Sequence, residues 1–210
     1  MKNSSAKLRI FFFLVLLVVG LLLSLLTAFF ANDWRSLGLN LGTEFVGAAI
    51  TYLLLEWIVG AKANLEEQKQ ELVHQIHSTQ IKIVVDAIEK ARRLGWLQNG
   101  LLRDQDFRAV HWNGVELDGA DLHGASFENA SLDTAKLQRA LLQRVNFRGA
   151  HLYRADMRYA DLRGADFRGA MWNGIQIEHA QFDPDTILPD GTNYTPGTDL
   201  DKIAKLTLVG

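Results

Sequence analysis

Glu71, His74 and His77 are the first residues whose types and spacing suggest chemistry. Residues three apart lie on one face of a helix, and imidazole and carboxylate groups are zinc ligands. The surrounding sequence is rich in Lys, Glu and Gln, however, which is typical of a solvated helix surface. The chain also has no cysteine and no GxSxG, HExxH or glycine-rich phosphate-binding motif. We therefore predict no metal site, no cofactor, no catalytic residue and no enzymatic activity.

A set of arginines in the second half of the chain is the other group with chemical potential. A guanidinium group binds carboxylates and phosphates through its planar fork of N–H donors. The chain has 22 Lys and Arg against 24 Asp and Glu, and this net charge of -2 makes nucleic acid an unfavourable partner. The arginines instead predict a docking patch for an acidic, unidentified protein, with lipid headgroups as the alternative. The predicted partner-binding residues are Arg148, Arg158, Arg163 and Arg168.

Two apolar segments near the N-terminus have the length of membrane spans. Residues 10–30 carry no charge, and about 20 apolar residues cross a hydrocarbon core of about 30 Å. A cleaved signal peptide is the alternative, but its apolar region is normally shorter. Residues 38–60 form a less pure second segment, because Glu44 and Glu56 lie inside it. Together the segments predict a two-helix transmembrane hairpin.

Charged residues set the orientation predicted for this hairpin. Basic residues flank it in segments 1–9 and 61–69, whereas the connecting loop contains only Arg35. The positive-inside rule then places both termini in the cytoplasm. We predict a multi-pass protein of the bacterial inner membrane with a cytoplasmic C-terminal region. Glu44 and Glu56 would be intramembrane acids, and their shallow depth favours a structural role over a transport role.

The polar segment 61–94 predicts a helical stalk. Its apolar residues recur at helical spacing and form one stripe, and Gly95 is a plausible stop. Such a stripe packs on neighbouring structure or on a second copy of the chain. We therefore predict a possible homo-oligomer formed through residues 38–60 and 61–94.

The segment 105–184 repeats itself every five residues, as in "ADMRYADLRGADFRGA". A small residue recurs at every fifth position, and a large apolar residue follows two places later. This period fits neither a helix nor a strand, and its persistence over about fifteen copies indicates a solenoid. The small residues that we predict in the core include Ala120, Ala140, Ala160 and Ala180.

A second period of 20 residues runs through the same segment. Phenylalanine recurs at Phe107, Phe127, Phe147 and Phe167, which predicts an aromatic stack along the axis of a coil that takes 20 residues per turn. A coil of 20 residues contains four units of five. The phenylalanine column therefore supports a four-sided coil independently of any relative.

The motif "ADLRGADFRGA" resembles the pentapeptide-repeat family, whose consensus is A(D/N)LxX. The resemblance implies an all-β, right-handed quadrilateral β-helix in which each unit forms one side. It implies that the small and the large residue point inward and the other three outward. The whole chain is thus predicted as a membrane-anchored bacterial member: a transmembrane hairpin and helical stalk, followed by the β-helix.

The predicted domains follow from these elements in chain order. They are a cytoplasmic N-terminus at 1–9, a hairpin at 10–60, a stalk with an N-terminal cap at 61–104, a β-helix of about four coils at 105–184 and a C-terminal cap at 185–210.

The function that the sequence favours is a membrane-anchored, non-enzymatic scaffold for protein interaction. One alternative is mimicry of DNA to inhibit a topoisomerase, as in some relatives, but the arginines and the near-neutral charge disfavour it. Another alternative is an accessory subunit for membrane transport that uses Glu44 and Glu56.

Overall fold

A computed structural model describes Val18, Phe29, residues 34–200 and Ile203, with side chains described from Gly47 onward within the long first helix. The chain divides into two compact units, Met1–Glu67 and Gln68–Gly210. Helix α1 runs from Trp34–Ile76, and helix α2 from Ile81–Arg93. A repeating array of turns and single bridges begins at Asp106.

The repeat region is a four-sided coil with 20 residues per turn. Parallel bridges join residues 20 apart along all four sides. Sides 1 to 4 begin at the bridges Asp106↔Ser126, His111↔Ser131, Glu116↔Lys136 and Asp121↔Leu141.

Each five-residue unit is held by a fixed set of backbone hydrogen bonds. In the unit around Met157, the amides of Met157 and Tyr159 donate to the next coil, at 2.7 and 3.0 Å. The amide of Ala160 donates back to the carbonyl of Met157 at 3.1 Å and closes the turn at the corner. One extended residue between two such turns is enough for a bridge but too short for a strand.

Every corner requires a residue with positive φ, and this explains part of the glycine pattern. Asn129 and Gly149 occupy the same corner in successive coils, with φ values of 57° and 64°. A Cβ atom on Gly149 would lie 2.4 Å from Oδ1 of Asn129. Side chains at one corner therefore lean over the next coil, which favours glycine there.

The interior is apolar along the whole array. The phenylalanine rings of side 1 stack with centroid distances of 5.2, 5.7 and 5.1 Å. Side 2 contributes Trp112 and Trp172, and Trp172 packs on Phe167 at 5.2 Å. The small residues of each unit fill the corners between these large ones. Ala120, Ala140 and Ala160 are fully buried, whereas Ala180 is half-buried near the end of the array.

The first coil is covered by the end of α1 and by α2. Leu72 and Ile76 of α1, and Val84 and Ile88 of α2, are buried in the same core as the solenoid. The ring of His77 stacks on Phe107 at 5.0 Å. These contacts protect the apolar end that a solenoid otherwise exposes to water.

The last coil contains one additional residue. Asp166 is bridged to Ile187, so the spacing there is 21 and not 20. The hydroxyl of the buried Thr186 compensates for the shift: it lies 3.1 Å from the carbonyl of Leu162 and 3.2 Å from the amide of Gly164. Asp183 accepts from the same amide at 2.8 Å.

Thr186→Val is expected to destabilise the last coil by about 1–3 kcal/mol, because it removes a buried hydroxyl and leaves its partners unsatisfied. Urea unfolding followed by circular dichroism measures the effect. Thr192→Val is the matched control, since the hydroxyl of Thr192 is exposed and bonds only to Asp190. Equal urea midpoints for the two variants would contradict the role given to Thr186.

The predicted transmembrane hairpin is not supported. The N-terminus 1–9 and the first predicted span, 10–30, lie outside the described residues apart from Val18 and Phe29. The second predicted span, 38–60, is part of the longer helix α1. Within the described part of the chain, neither helix combines the length and the apolar character needed to cross a membrane.

The sequence of α1 departs from a uniform membrane span, because Glu44 and Glu56 lie inside residues 38–60 and charged residues follow from Lys62. The predictions of a multi-pass protein and of a location in the inner membrane are therefore wrong.

The predicted stalk and the all-β class also need correction. Residues 61–94 do not form one helix, because the chain turns at 77–80 between α1 and α2. The turn lets the apolar residues of both helices reach the first coil. From 34 to 200 the repeat shows isolated bridges and no extended strand, since each side is too short for one. The predicted boundaries at 61–104, 105–184 and 185–210 stay predictions.

Candidate recognition surface of the solenoid

Aspartate and arginine two residues apart form an ion pair within a single unit. Asp161 Oδ1 accepts from Nε of Arg163 at 2.8 Å, and Oδ2 accepts from Nη2 at 2.6 Å. The same Oδ1 accepts from the backbone amide of Arg163 at 3.3 Å. The two side chains flank one inward residue and emerge side by side, so the pairing needs no neighbouring coil. The units with this arrangement are Asp106–Arg108, Asp156–Arg158, Asp161–Arg163 and Asp166–Arg168.

These pairs lower the pKa of their carboxyl groups. Hydrogen bonds from Arg158 and Arg163 hold the pKa of Asp156 and of Asp161 below the ordinary value, against the opposing effect of burial. Burial alone would raise the pKa of Asp166, but the hydrogen bonds from Arg168 outweigh it and the pKa is lowered.

Acid is expected to destabilise the solenoid through these carboxylates. A carboxyl group whose pKa is lower in the folded chain stabilises the fold above its unfolded pKa of about 3.9, and loses that contribution as the pH falls through the folded pKa. The thermal midpoint should therefore fall steadily below about pH 4. Thermal melts between neutral and acid pH measure it.

The control is a chain with Asp156→Asn, Asp161→Asn and Asp166→Asn. This variant should start with a lower midpoint at neutral pH and lose less of it in acid. If acid lowers the thermal midpoint of both proteins equally steeply, these three carboxylates are not the cause of the acid sensitivity.

The ion pairs reduce the charge that the predicted partner-binding arginines can offer to a partner. Arg158, Arg163 and Arg168 are each engaged by an aspartate of their own unit. Arg148 has Asn146 at the equivalent place, and Oδ1 of Asn146 accepts from the backbone amide of Arg148 at 3.0 Å. Within the described residues, the arginines of the middle coils that form no direct ion pair are Arg139, Arg144, Arg148 and Arg154, although the charge of Arg148 helps to lower the pKa of Asp166.

Aromatic rings hold two of these arginines. The guanidinium carbon of Arg154 lies 4.9 Å from the ring centroid of Tyr153, and that of Arg139 lies 5.4 Å from the ring centroid of Tyr159. Tyr159 in turn stacks on His179 at 4.9 Å. Arginine and tyrosine are enriched where protein interfaces are strongest, so these stacks are candidate contact points.

A few large apolar side chains interrupt the polar outer surface. Within residues 105–184, the large apolar or aromatic residues that are exposed are Leu141, Tyr153, Tyr159 and Met171. None of them, nor Arg139, Arg144 or Arg154, is among the residues predicted from the sequence to bind a partner. A comparison of outward residues at a spacing of 20 would have indicated Leu141, which follows Asp121 and precedes Asp161 in one column.

The remaining predicted sites are not brought together. Glu56 is exposed on α1, and the side chain of Glu44 lies outside the described residues. Glu71 accepts from the amide of Gln75 at 2.8 Å. The nitrogens of His77 lie 2.8 Å from the carbonyl oxygen of Val73 and 3.1 Å from that of Asp106. In the described part of the chain, no three His, Cys, Asp or Glu residues are placed to hold a metal ion.

A four-sided coil of five-residue units, with an apolar interior and all its polar chemistry on outward side chains, defines this region as a repeat solenoid. Residues 102–139 and 130–169 match the family model described as pentapeptide repeats, with 8 copies. Residues 102–169 therefore consist of repeats of the pentapeptide-repeat family. Its members are generally non-enzymatic structural or interaction proteins. No curated protein matches the chain.

Three solved pentapeptide-repeat proteins of cyanobacteria are similar to parts of the chain. Rfr23 from Cyanothece 51142 is 24% identical, with a TM-score of 0.35, over 40% of this chain and 60% of its own. HetL from Nostoc sp. strain PCC 7120, which is involved in heterocyst differentiation regulation, is 32% identical, with a TM-score of 0.35, over 44% of this chain and 48% of its own. The protein alr5209 from Nostoc PCC 7120 is 27% identical, with a TM-score of 0.36, over 54% of this chain and 91% of its own. The chain therefore spans only about half to three fifths of the length of the first two.

Proposed function

We propose that the solenoid is a non-enzymatic scaffold that binds another protein through its outward surface. The observation that carries this proposal is the pairing of exposed arginines with exposed tyrosines on the middle coils, Arg139 with Tyr159 and Arg154 with Tyr153. The continuous core below them fixes their positions. A rigid surface of this kind loses little conformational entropy on binding.

An acidic partner fits the charge of this surface. Arg148 has no carboxylate partner in its own unit, so it is the most available of the four arginines predicted from the sequence. Arg158, Arg163 and Arg168 keep outward N–H donors after pairing, but their charge is largely neutralised. They contribute to the surface mainly by fixing its shape.

Affinity capture with the full chain tests the scaffold. A parent chain and a chain with Arg139→Ser, Arg144→Ser, Arg148→Ser and Arg154→Ser are compared at low and moderate salt, after thermal melts show that both are folded. The parent should retain a defined set of proteins that the variant loses, and salt should weaken their retention because screening acts over about 8 Å at 0.15 M. The same set of proteins on both chains would contradict the proposal.

Self-association through α1 is a second proposed contact. Its described side chains expose apolar groups around the helix, including Ile50, Leu54, Trp57 and Ile58, which are 52%, 54%, 71% and 53% exposed. Exposed apolar surface of this extent is typical of an interaction site. Sedimentation of the full chain should give a mass above that of one copy, and Leu54→Glu with Ile58→Glu should reduce it. A single-copy mass for the parent would overturn this contact.

A further inference from the structure

Leu141 is the point at which one outward column of the solenoid changes its chemistry. The column on side 4 contains Asp121, Leu141, Asp161 and Gln181 in successive coils. Asp121 and Asp161 are 5% and 8% exposed and form ion pairs with arginines, whereas Leu141 is 39% exposed. The arginine two residues after Asp161 has no counterpart after Leu141, because Gln143 stands there. The leucine instead presents an apolar side chain to the solvent.

Two arginines without a carboxylate partner border Leu141. Arg139 lies at the corner that precedes side 4, and Arg144 lies at the corner that follows it. The stack of Arg139 on Tyr159, and of Tyr159 on His179, spans three successive coils at the first of these corners. Stacking fixes the guanidinium plane of Arg139 and leaves its N–H edge for an acceptor.

The second arginine borders a shallow groove on the same side. Arg144 lines this groove together with His123, Gln143, Arg163, Gly164, Asp183 and Asp185, so the proposed carboxylate contact is with Arg144 at the side-4 edge and not with the aspartates of the groove. The position that a Cβ atom would take on Gly164 lies 3.3 Å from Cγ of Arg144, so the stem of Arg144 lies across the next coil. Its charged end is exposed.

We propose that Arg139, Leu141, Arg144 and Tyr159, here called the side-4 patch, bind an acidic protein segment in which carboxylates flank one apolar side chain. The apolar side chain packs on Leu141 beside Tyr159, and the carboxylates accept hydrogen bonds from Arg139 and Arg144. The positive charge of the two arginines favours an acidic segment over a neutral apolar one. This inference rests on the proposed scaffold function and adds the surface and the chemistry of the partner.

Peptides selected from a random library on the immobilised full chain test the inference. The selected peptides should be enriched in Asp and Glu around a single Leu, Ile or Phe. Leu141→Asp should weaken their binding by at least about tenfold, which is the effect of losing one strong contact. Leu141→Asp places a carboxylate without an arginine partner between Asp121 and Asp161, so thermal melts must show that this variant is folded under the binding conditions. Leu141→Gln, which is the residue type of Gln181 in the same column, adds no charge and should weaken binding in the same way.

Variants of the arginines give the matched comparison. Arg139→Ser with Arg144→Ser should weaken the same peptides by at least about tenfold. Arg108→Ser should leave binding unchanged, although the side chain of Arg108 is 61% exposed, because it lies on side 1 of the first coil.

Several outcomes would overturn the side-4 patch. The inference fails if no peptides are selected, or if the selected peptides lack acidic residues. It also fails if the peptides bind the parent and the Leu141→Asp chain equally, or if a short single-stranded oligonucleotide displaces them from the side-4 patch. Binding that depends on Arg154 alone would also overturn it while the scaffold function stands. The scaffold function fails separately, when affinity capture yields the same proteins with and without the four arginines.

Discussion

Ala150→Phe is expected to unfold the solenoid. Ala150 is fully buried at an inward position, and its amide donates to the carbonyl of Phe147 at 3.0 Å. A phenylalanine ring there has no space, because the stacked ring of Phe147 and the inward Leu152 already fill that level. Overpacking costs about 1–3 kcal/mol in an adaptable core and more in a tight one, against a total stability of about 5–15 kcal/mol. Thermal melts of the parent and of Ala150→Phe, followed by circular dichroism, measure the loss of stability.

The neighbouring residue provides the control for this prediction. His151 is exposed, and its side chain points away from the interior that Ala150 faces. His151→Phe introduces the same ring one position later. It should change the free energy of unfolding by less than about 0.5 kcal/mol and leave the thermal midpoint close to that of the parent. Similar losses in both variants would contradict the inward and outward assignment of the unit.

The interior was accessible to sequence analysis because its periodicity is redundant. The phenylalanines at a spacing of 20 lie in one stack, and the family prediction is confirmed by the match over residues 102–169. The additional residue before Thr186 was not predicted, because Phe182 and Ile187 keep the five-residue spacing in the sequence. In the structure Ile187 is a bridge residue and Leu188 is buried, so the register has shifted by one.

The contacts between outward side chains were harder to predict, because each outward residue can pair within its own unit or with a neighbouring coil. Arg158 and Arg163 are predicted from the sequence as available charges, although aspartates two residues earlier engage them. That spacing places both side chains on one side of the same unit, so the pairing was readable once the unit geometry was known. The stack of Arg139 on Tyr159 required knowledge of which corners coincide.

The helices show the limit of reading hydrophobicity alone. The apolar stretch 38–60 predicts a separate membrane span, but in the structure it is one part of α1, which continues as a single helix to Ile76. The periodicity of residues 61–94 identified apolar positions such as Leu72 and Ala87, both of which are buried. It could not indicate the turn at 77–80, which depends on where the first coil offers a surface to pack on.

Phe147→Ala is expected to give the largest loss among truncations of the aromatic stack, about 3–5 kcal/mol. The ring of Phe147 lies between those of Phe127 and Phe167, at centroid distances of 5.7 and 5.1 Å and with an interplanar angle of 11° on both sides. Truncation leaves a cavity in a fully buried column and removes two ring contacts together, each worth about 0.5–1.5 kcal/mol beyond the area buried. Urea unfolding with a global fit of the transition measures this loss.

Phe147→Leu separates the loss of the stack from the loss of volume. Leucine already occupies the equivalent inward position at Leu132 and Leu152 on side 2, so it should fit with a cost below about 1.5 kcal/mol. Because each coil of a solenoid contacts only its neighbours, the cavity of Phe147→Ala should weaken the link between the coils on either side. The transition of that variant should therefore broaden or separate into two steps, whereas that of Phe147→Leu should stay single. A sharp, single transition at an unchanged urea midpoint for Phe147→Ala would show that the stack does not couple the coils.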